Sequence, residues 1–233
     1  MSLLTIVQEV AGSLNLPVPT SVVGNTSPDA ILFLNLAKRE GRELARRHDW
    51  QAITVEHTWT TTATVAQSLA LPSAYDRLPP DVEIWDRTAD SRLFGPVPSN
   101  EWMRLHSGVN GGIAGWWRII GGVLNVYPAP TAGKTFALEY ISKNWCESSG
   151  GTDQSTWQAD ADVALLKEDL IALGLTWRWL RAKGMDYAEE MATYEREVEK
   201  AASRDRGLRV MTARKASSDD YPPQPSWTGT IDA

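Results

Sequence analysis

Apolar residues recur at alternating four- and three-residue spacings through Leu166, Leu170, Leu173, Trp177 and Leu180, which sets them on one face of a helix. Asp162 stands ahead of that stripe, where its carboxylate can accept a bond from an orphaned backbone N–H and cap the helix. Arg178, Arg181 and Lys183 crowd the last turn, where cations suit the helix dipole, and Gly184 can take the left-handed conformation that ends it. Tyr187, Met191, Tyr194, Val198 and Ala201 repeat the spacing, with Glu189, Glu190, Glu195, Arg196, Glu197, Glu199 and Lys200 mostly on the other side. The pattern predicts an antiparallel helical hairpin over 162–205, each helix roughly 30 Å long at about 1.5 Å per residue.

The same period appears near the N-terminus. Leu3, Leu4, Ile6, Val7, Val10 and Leu14 predict a short helix that Pro17 and Pro19 stop. Ser27-Pro28-Asp29 is a helix start, with a capping hydroxyl, proline at the first helical position and an acid in the first turn. Ile31, Leu34, Ala37, Gly41, Leu44, Ala45 and His48 share one face of that helix, and Lys38, Arg39, Arg42, Glu43, Arg46 and Arg47 lie mostly elsewhere.

From Trp50 the period becomes two. Ile53, Val55, His57 and Trp59 alternate with Thr54, Glu56, Thr58 and Thr60, which predicts a strand, and a return strand through Leu69 and Leu71 would complete a hairpin. Val82–Trp85 and Arg92–Phe94 read as a second strand pair, and Ser99 as the cap of a short helix through Trp102 and Leu105. Four glycines between Ser107 and Gly115 predict a mobile loop. Trp117–Ile120 and Val123–Tyr127 flank Gly121-Gly122, a pair that supplies the positive φ a two-residue turn requires, and Thr135–Ser142 is a further strand. The fold class is therefore α+β. A helical body spans 1–51 and 146–207, a β-rich insertion 52–145, and an extended arm 208–233. The arm is polar and proline-rich, too poor in apolar residues for a core of its own, yet it holds Tyr221 and Trp227.

Charge and composition narrow the function. The balance of 23 basic and 29 acidic residues gives −6, which argues against a phosphate-backbone binder that lives by counterion release. A single cysteine, Cys146, allows no internal disulfide and no zinc site built on cysteines. No basic leader opens the sequence, and no run approaches the roughly 20 apolar residues of a membrane span, so the expectation is a soluble chain. Eleven tryptophans against three phenylalanines is unusual usage, favoured both in cores and at interfaces.

No catalytic constellation stands out. Thr131-Ala132-Gly133-Lys134-Thr135 imitates the end of a phosphate-binding loop, but Pro128 holds the first glycine position and a strand follows. His48, His57 and His106 lack ligand spacing, and Cys146, which reads as a loop residue, could be nucleophilic only with a nearby base that the sequence does not reveal. Glu83, Asp86 and Glu139 could serve a glycoside hydrolase as acid and nucleophile, with Trp116 and Trp117 as sugar platforms. The expectation is a protein that is not an enzyme, with no cofactor and no metal.

Several segments, in order, resemble the head-to-tail connector (portal adaptor) proteins of short-tailed bacteriophages, related to tail tubular protein A. They are Trp50 to Trp59, Tyr75-Asp76-Arg77-Leu78 through Ile84-Trp85-Asp86-Arg87, Gly95-Pro96 to Trp102, and Arg118-Ile119-Ile120-Gly121 through Tyr127-Pro128-Ala129-Pro130. Glu139-Tyr140-Ile141-Ser142-Lys143-Asn144-Trp145 follows, and then Asp169 to Asp205 with Trp177-Arg178-Trp179-Leu180-Arg181-Ala182-Lys183-Gly184. The resemblance implies a structural protein of the virion neck, assembled in the host cytoplasm as a dodecameric ring beneath the portal protein. Such a ring extends the DNA channel without binding DNA specifically, receives a tail or nozzle protein, and touches no membrane. It also implies that the C-terminal segment reaches the portal, with Arg209, Tyr221 and Trp227 as the anchoring candidates. Arg42, Arg46, Trp177, Tyr187 and Tyr194 are then the candidates for contacts between subunits. A carbohydrate-binding or glycan-hydrolysing tail component is the alternative, and a nucleic-acid-binding regulator a third class.

Overall fold

The computed structural model describes residues 1–80, 82–107 and 115–205. Most of the glycine-rich loop and the arm with Arg209, Tyr221 and Trp227 lie outside these residues. Helix α1 (Leu3–Ser13) starts at Ser2, whose hydroxyl accepts from Thr5 N at 3.3 Å. Its stripe Leu3, Ile6, Val7, Val10 and Ala11 is buried. α2 (Pro28–Arg47) follows a connector tied down by Asp160, whose Oδ1 accepts from Val22 N and Val23 N. Pro28 opens α2 as expected, but the Ser27 hydroxyl makes no capping bond.

A short 3-10 turn, Gln51–Ile53, leads into β1 (Thr54–Thr60). Small strands β2 (Ala66–Gln67), β3 (Tyr75–Arg77), β4 (Ile84–Asp86) and β5 (Ser91–Leu93) precede α3 (Ser99–His106). The hairpin β6 (Trp116–Ile120) and β7 (Val123–Tyr127) turns through Gly121 and Gly122, at φ +60° and +77°, as their sequence predicts. β8 (Thr135–Ser142) then leads to the short strands β9 (Cys146–Glu147), β10 (Asp153–Gln154) and β11 (Val163–Ala164). Helices α4 (Glu168–Ala182) and α5 (Ala188–Asp205) close the order.

The strands form antiparallel sheets in the orders β1-β8-β4-β5, with β3 also on β8, β2-β7-β6 and β10-β9-β11. The partner of β1 is therefore β8, in register from Thr54↔Ile141 to Thr60↔Thr135, and not a return strand through Leu69 and Leu71. Packing decides this pairing. Phe136 meets Trp59 edge-to-face at 5.7 Å between ring centroids, and Leu138 and Tyr140 extend the buried face, whereas Leu69 is 64% exposed. Thr61 closes the far end by bonding the backbone of Gly133 and Lys134.

Two large hydrophobic clusters result, with a small third around Val97, Trp102 and Leu105. One lies between the first two sheets, around Trp59, Ile84, Trp117, Leu124 and Tyr140. The larger lies among the helices and also takes Ile53 ahead of β1, Ile141 from the end of β8, and Trp145 and Trp157 beyond it. α4 is central to it and touches α1, α2 and α5.

Asp162 does not cap α4. Its Oδ2 accepts from Gln158 N and Ala159 N in the preceding turn, Val163–Ala164 then pair with β9, and the helix begins at Glu168. Tyr187 likewise precedes α5, where Asp186 bonds Ala188 N at 3.1 Å, and Met191 is exposed. At about 1.5 Å per residue α4 and α5 are about 22 and 27 Å long, shorter than the sequence pattern suggests. Gly184 ends α4 as expected, at φ +71°, with Met185 N bonded to Leu180 O.

Candidate functional site

Two places concentrate charge. The first is inside the helical body, where the apolar stripe of α2 is interrupted by Glu40, which has no solvent exposure. Glu40 fits because Gly174 faces it from α4; a Cβ at that position would overlap its carboxylate. Gly41 makes the same allowance for the ring of Trp145. Both Glu40 oxygens are satisfied: Tyr194 Oη of α5 donates to Oε1 at 2.6 Å, and Arg178 Nε of α4 donates to Oε2 at 2.5 Å. The other arm of the Arg178 guanidinium reaches Glu43 at 2.6 Å. Burial raises the Glu40 carboxyl above its ordinary range, against the donors Tyr194 and Arg178 that favour its ionised form. Burial likewise raises the Tyr194 hydroxyl, helped by the neighbouring Glu40 charge. Arg47 lies over the Tyr194 ring and pairs with Glu195, which joins α2 and α5 at the surface.

This network corrects the reading of Arg178 as a last-turn cation that serves the helix dipole: only Arg181 stands in the last turn of α4, and Arg178 is 6% exposed. Trp177 and Tyr194 also turn inward, with their rings 6.1 Å apart and both side chains buried, which leaves a neighbouring subunit little of either to touch. Tyr187 is half-buried beside Trp177 at 6.2 Å. Arg42 and Arg46 are exposed on α2, Arg42 donating to Lys38 O. Glu40 is the residue that sequence reasoning missed. Its signal is legible afterwards: an acid in line with Ala37 and Leu44, matched by a lone arginine between Trp177 and Trp179.

The second place is the open face of the β8 sheet. In-register pairing sets Glu56 opposite Glu139 and Trp85 opposite Ala137. With Glu83, Arg87, Pro79, Pro80 and Val82 nearby they line a cleft of about 510 Å³. Arg87 pairs with Glu56 at 2.8 Å and Arg92 with Glu83 at 3.1 Å.

The sequence matches no protein-family model, and no curated protein matches it.

The carboxylates singled out for sugar chemistry separate. Glu83 and Glu139 share the cleft, but Asp86 is buried on the other face, where its carboxylate takes Lys134 Nζ at 2.7 Å and bonds Thr88 N and Ala89 N. Burial would raise the Asp86 carboxyl, but Lys134 and the two backbone N–H groups outweigh it and hold it below its ordinary value. Trp117 is fully buried and Trp116 stacks on Phe94, so the two do not form a pair of sugar platforms. Lys134 of the phosphate-loop imitation is thus committed to an ion pair at the start of a strand. Cys146 lies in β9 and not in a loop; it is buried, donates to Gln154 O at 3.3 Å, and burial pushes its thiol up to about 12. Among the described residues no three His, Cys, Asp or Glu side chains gather as a metal site would require, and no helix is long and apolar enough to cross a membrane.

Proposed function

We propose that this chain is a structural adaptor of a bacteriophage neck, a ring subunit that sits below the portal, extends the DNA channel and joins head to tail. The observation that carries the reading is a helical body locked internally and charged externally. Glu40, Arg178 and Tyr194 fasten α2, α4 and α5 to one another, while α2 turns Arg39, Arg42 and Arg46 outward and α5 exposes Glu189 and Glu199 together with Arg196, Lys200 and Arg204. A rigid body with charged outer helices suits the head-to-tail contacts from which closed rings are built. The ordered resemblance to portal adaptors supports the same role. Arg42 and Arg46 remain the interface candidates, and Arg209, Tyr221 and Trp227 the portal-binding ones; the virion neck is the proposed location.

Mass determination of the purified chain, alone and after mixing with a portal ring, tests this. A complex with twelve added chains is the expected result, and persistent monomer with intact fold would overturn it. Charge reversal at Arg42 and Arg46 should block ring formation, and removal of the residues after Arg209 should abolish portal binding while the helical body stays folded. Quenching of tryptophan emission by oligosaccharide would instead favour the carbohydrate reading, for which Trp85 beside Glu83 and Glu139 is the remaining surface.

A further inference from the structure

The β8 sheet packs one face against the β6–β7 hairpin and leaves the other open around Glu56, Glu139 and Trp85. Glu56 and Glu139 stand directly opposite each other on paired strands, where like charges repel and a cation placed between them relieves the repulsion. Arg87 serves Glu56 and Arg92 serves Glu83, but Glu139 is exposed and has no ion pair among the described residues. Trp85, 41% exposed in the same cleft, adds an aromatic face of the kind that takes a guanidinium. The open face is thus complementary to an arginine that another molecule supplies.

The outer side of α2 carries such an arginine. Arg39 pairs with Glu43 and Arg47 with Glu195, whereas Arg46 is exposed and has no ion pair among the described residues. Arg42, one turn before it, is also exposed and donates to a backbone oxygen, Lys38 O. The unpaired acid and the unpaired base lie on different elements of one chain, and unlike patches of this kind are what a head-to-tail contact joins. α5 is a poorer receptor for the arginines, because Glu195 and Glu197 already pair with Arg47 and Lys200, and Arg196 and Arg204 stand among its acids.

We propose that the open face of the β8 sheet receives α2 of a second copy of this chain, with the Arg46 guanidinium on Glu139 beside Trp85. The contact rests on the reading of the chain as a ring subunit and names the two surfaces that meet between neighbours.

Carbodiimide joins a carboxylate to an amine in direct contact, so Arg46→Lys supplies a reactive partner and keeps the charge. A mixture of heavy-nitrogen-labelled and unlabelled Arg46→Lys chains is treated on a portal ring, and alone at up to about 1 mM, which detects a contact with a millimolar Kd. Tryptic mass spectrometry should find position 46 of one isotope joined to Glu139 of the other. Glu139→Arg folds readily, because it faces Glu56 across the strands, and should weaken association between copies about fivefold or more. Adding Arg46→Glu to that variant should restore it. Absence of the link in both samples, a link only between like isotopes, or failure of the paired substitutions to restore what each removes would overturn the contact. A portal complex that forms without the link overturns the contact and leaves the ring reading standing; the link without a portal complex upholds the contact and overturns the ring reading.

Discussion

Gly174 of α4 lies directly against the carboxylate of Glu40 of α2, and the missing Cβ is what lets the two helices close over a buried charge. Glu40 cannot swing aside, because Tyr194 holds one oxygen and Arg178 the other. Gly174→Ala should therefore destabilise the protein by about 1–3 kcal/mol, even though alanine is the better helix former by about 1 kcal/mol. Urea denaturation reads the sign, and a rise in midpoint would show that α2 and α4 can separate without loss.

Removing one partner of the buried pair should be worse than removing both. Arg178→Met leaves Glu40 buried and short of a cation, at a cost of about 3–5 kcal/mol, whereas Glu40→Leu/Arg178→Met should recover much of that loss. Denaturation midpoints of the two single variants and the double variant complete the cycle. Additive losses would mean that the pair is not coupled.

Asp86 gives the sheet a pH dependence. Its folded pKa lies below that of the unfolded chain, so the stabilisation is present above the ordinary carboxylate range and is lost as pH falls through the folded value. Asp86→Asn should cost about 1.5–3 kcal/mol at pH 7, and the gap to the unaltered protein should shrink as pH drops below about 4. A gap that is constant with pH would assign the loss to packing and not to the Lys134 pair.

Cys146 should resist alkylation. With a buried thiol pushed up to about 12, almost none of it is thiolate at pH 8, so iodoacetamide should label the folded chain slowly and the urea-unfolded chain readily. Rapid labelling of the folded protein would show that the β9 region opens.

Local chemistry was legible at several places where neighbours in sequence are neighbours in space. The period of Leu3 to Val10, proline at the head of α2, the double glycine between β6 and β7 and Gly184 at the end of α4 each act within a few residues, and all are found where the sequence puts them. The mixed α+β character follows from these periods. Pairings across the chain were not legible. β1 takes β8 because Trp59 and Phe136 bury each other, and no periodicity in either strand names the other. Asp162 has the right side chain for a cap, but its acceptor capacity is used by Gln158 N and Ala159 N once β11 forms. Arg178 reads as a dipole-complementing cation and Tyr194 as an interface candidate because periodicity reports which face a side chain occupies, whereas an acid 138 residues before Arg178 decides whether that face is closed. A buried charge is stable only where its partners converge, and convergence of α2, α4 and α5 on Glu40 is a property of the packed helices, which the spacing within any one of them does not contain.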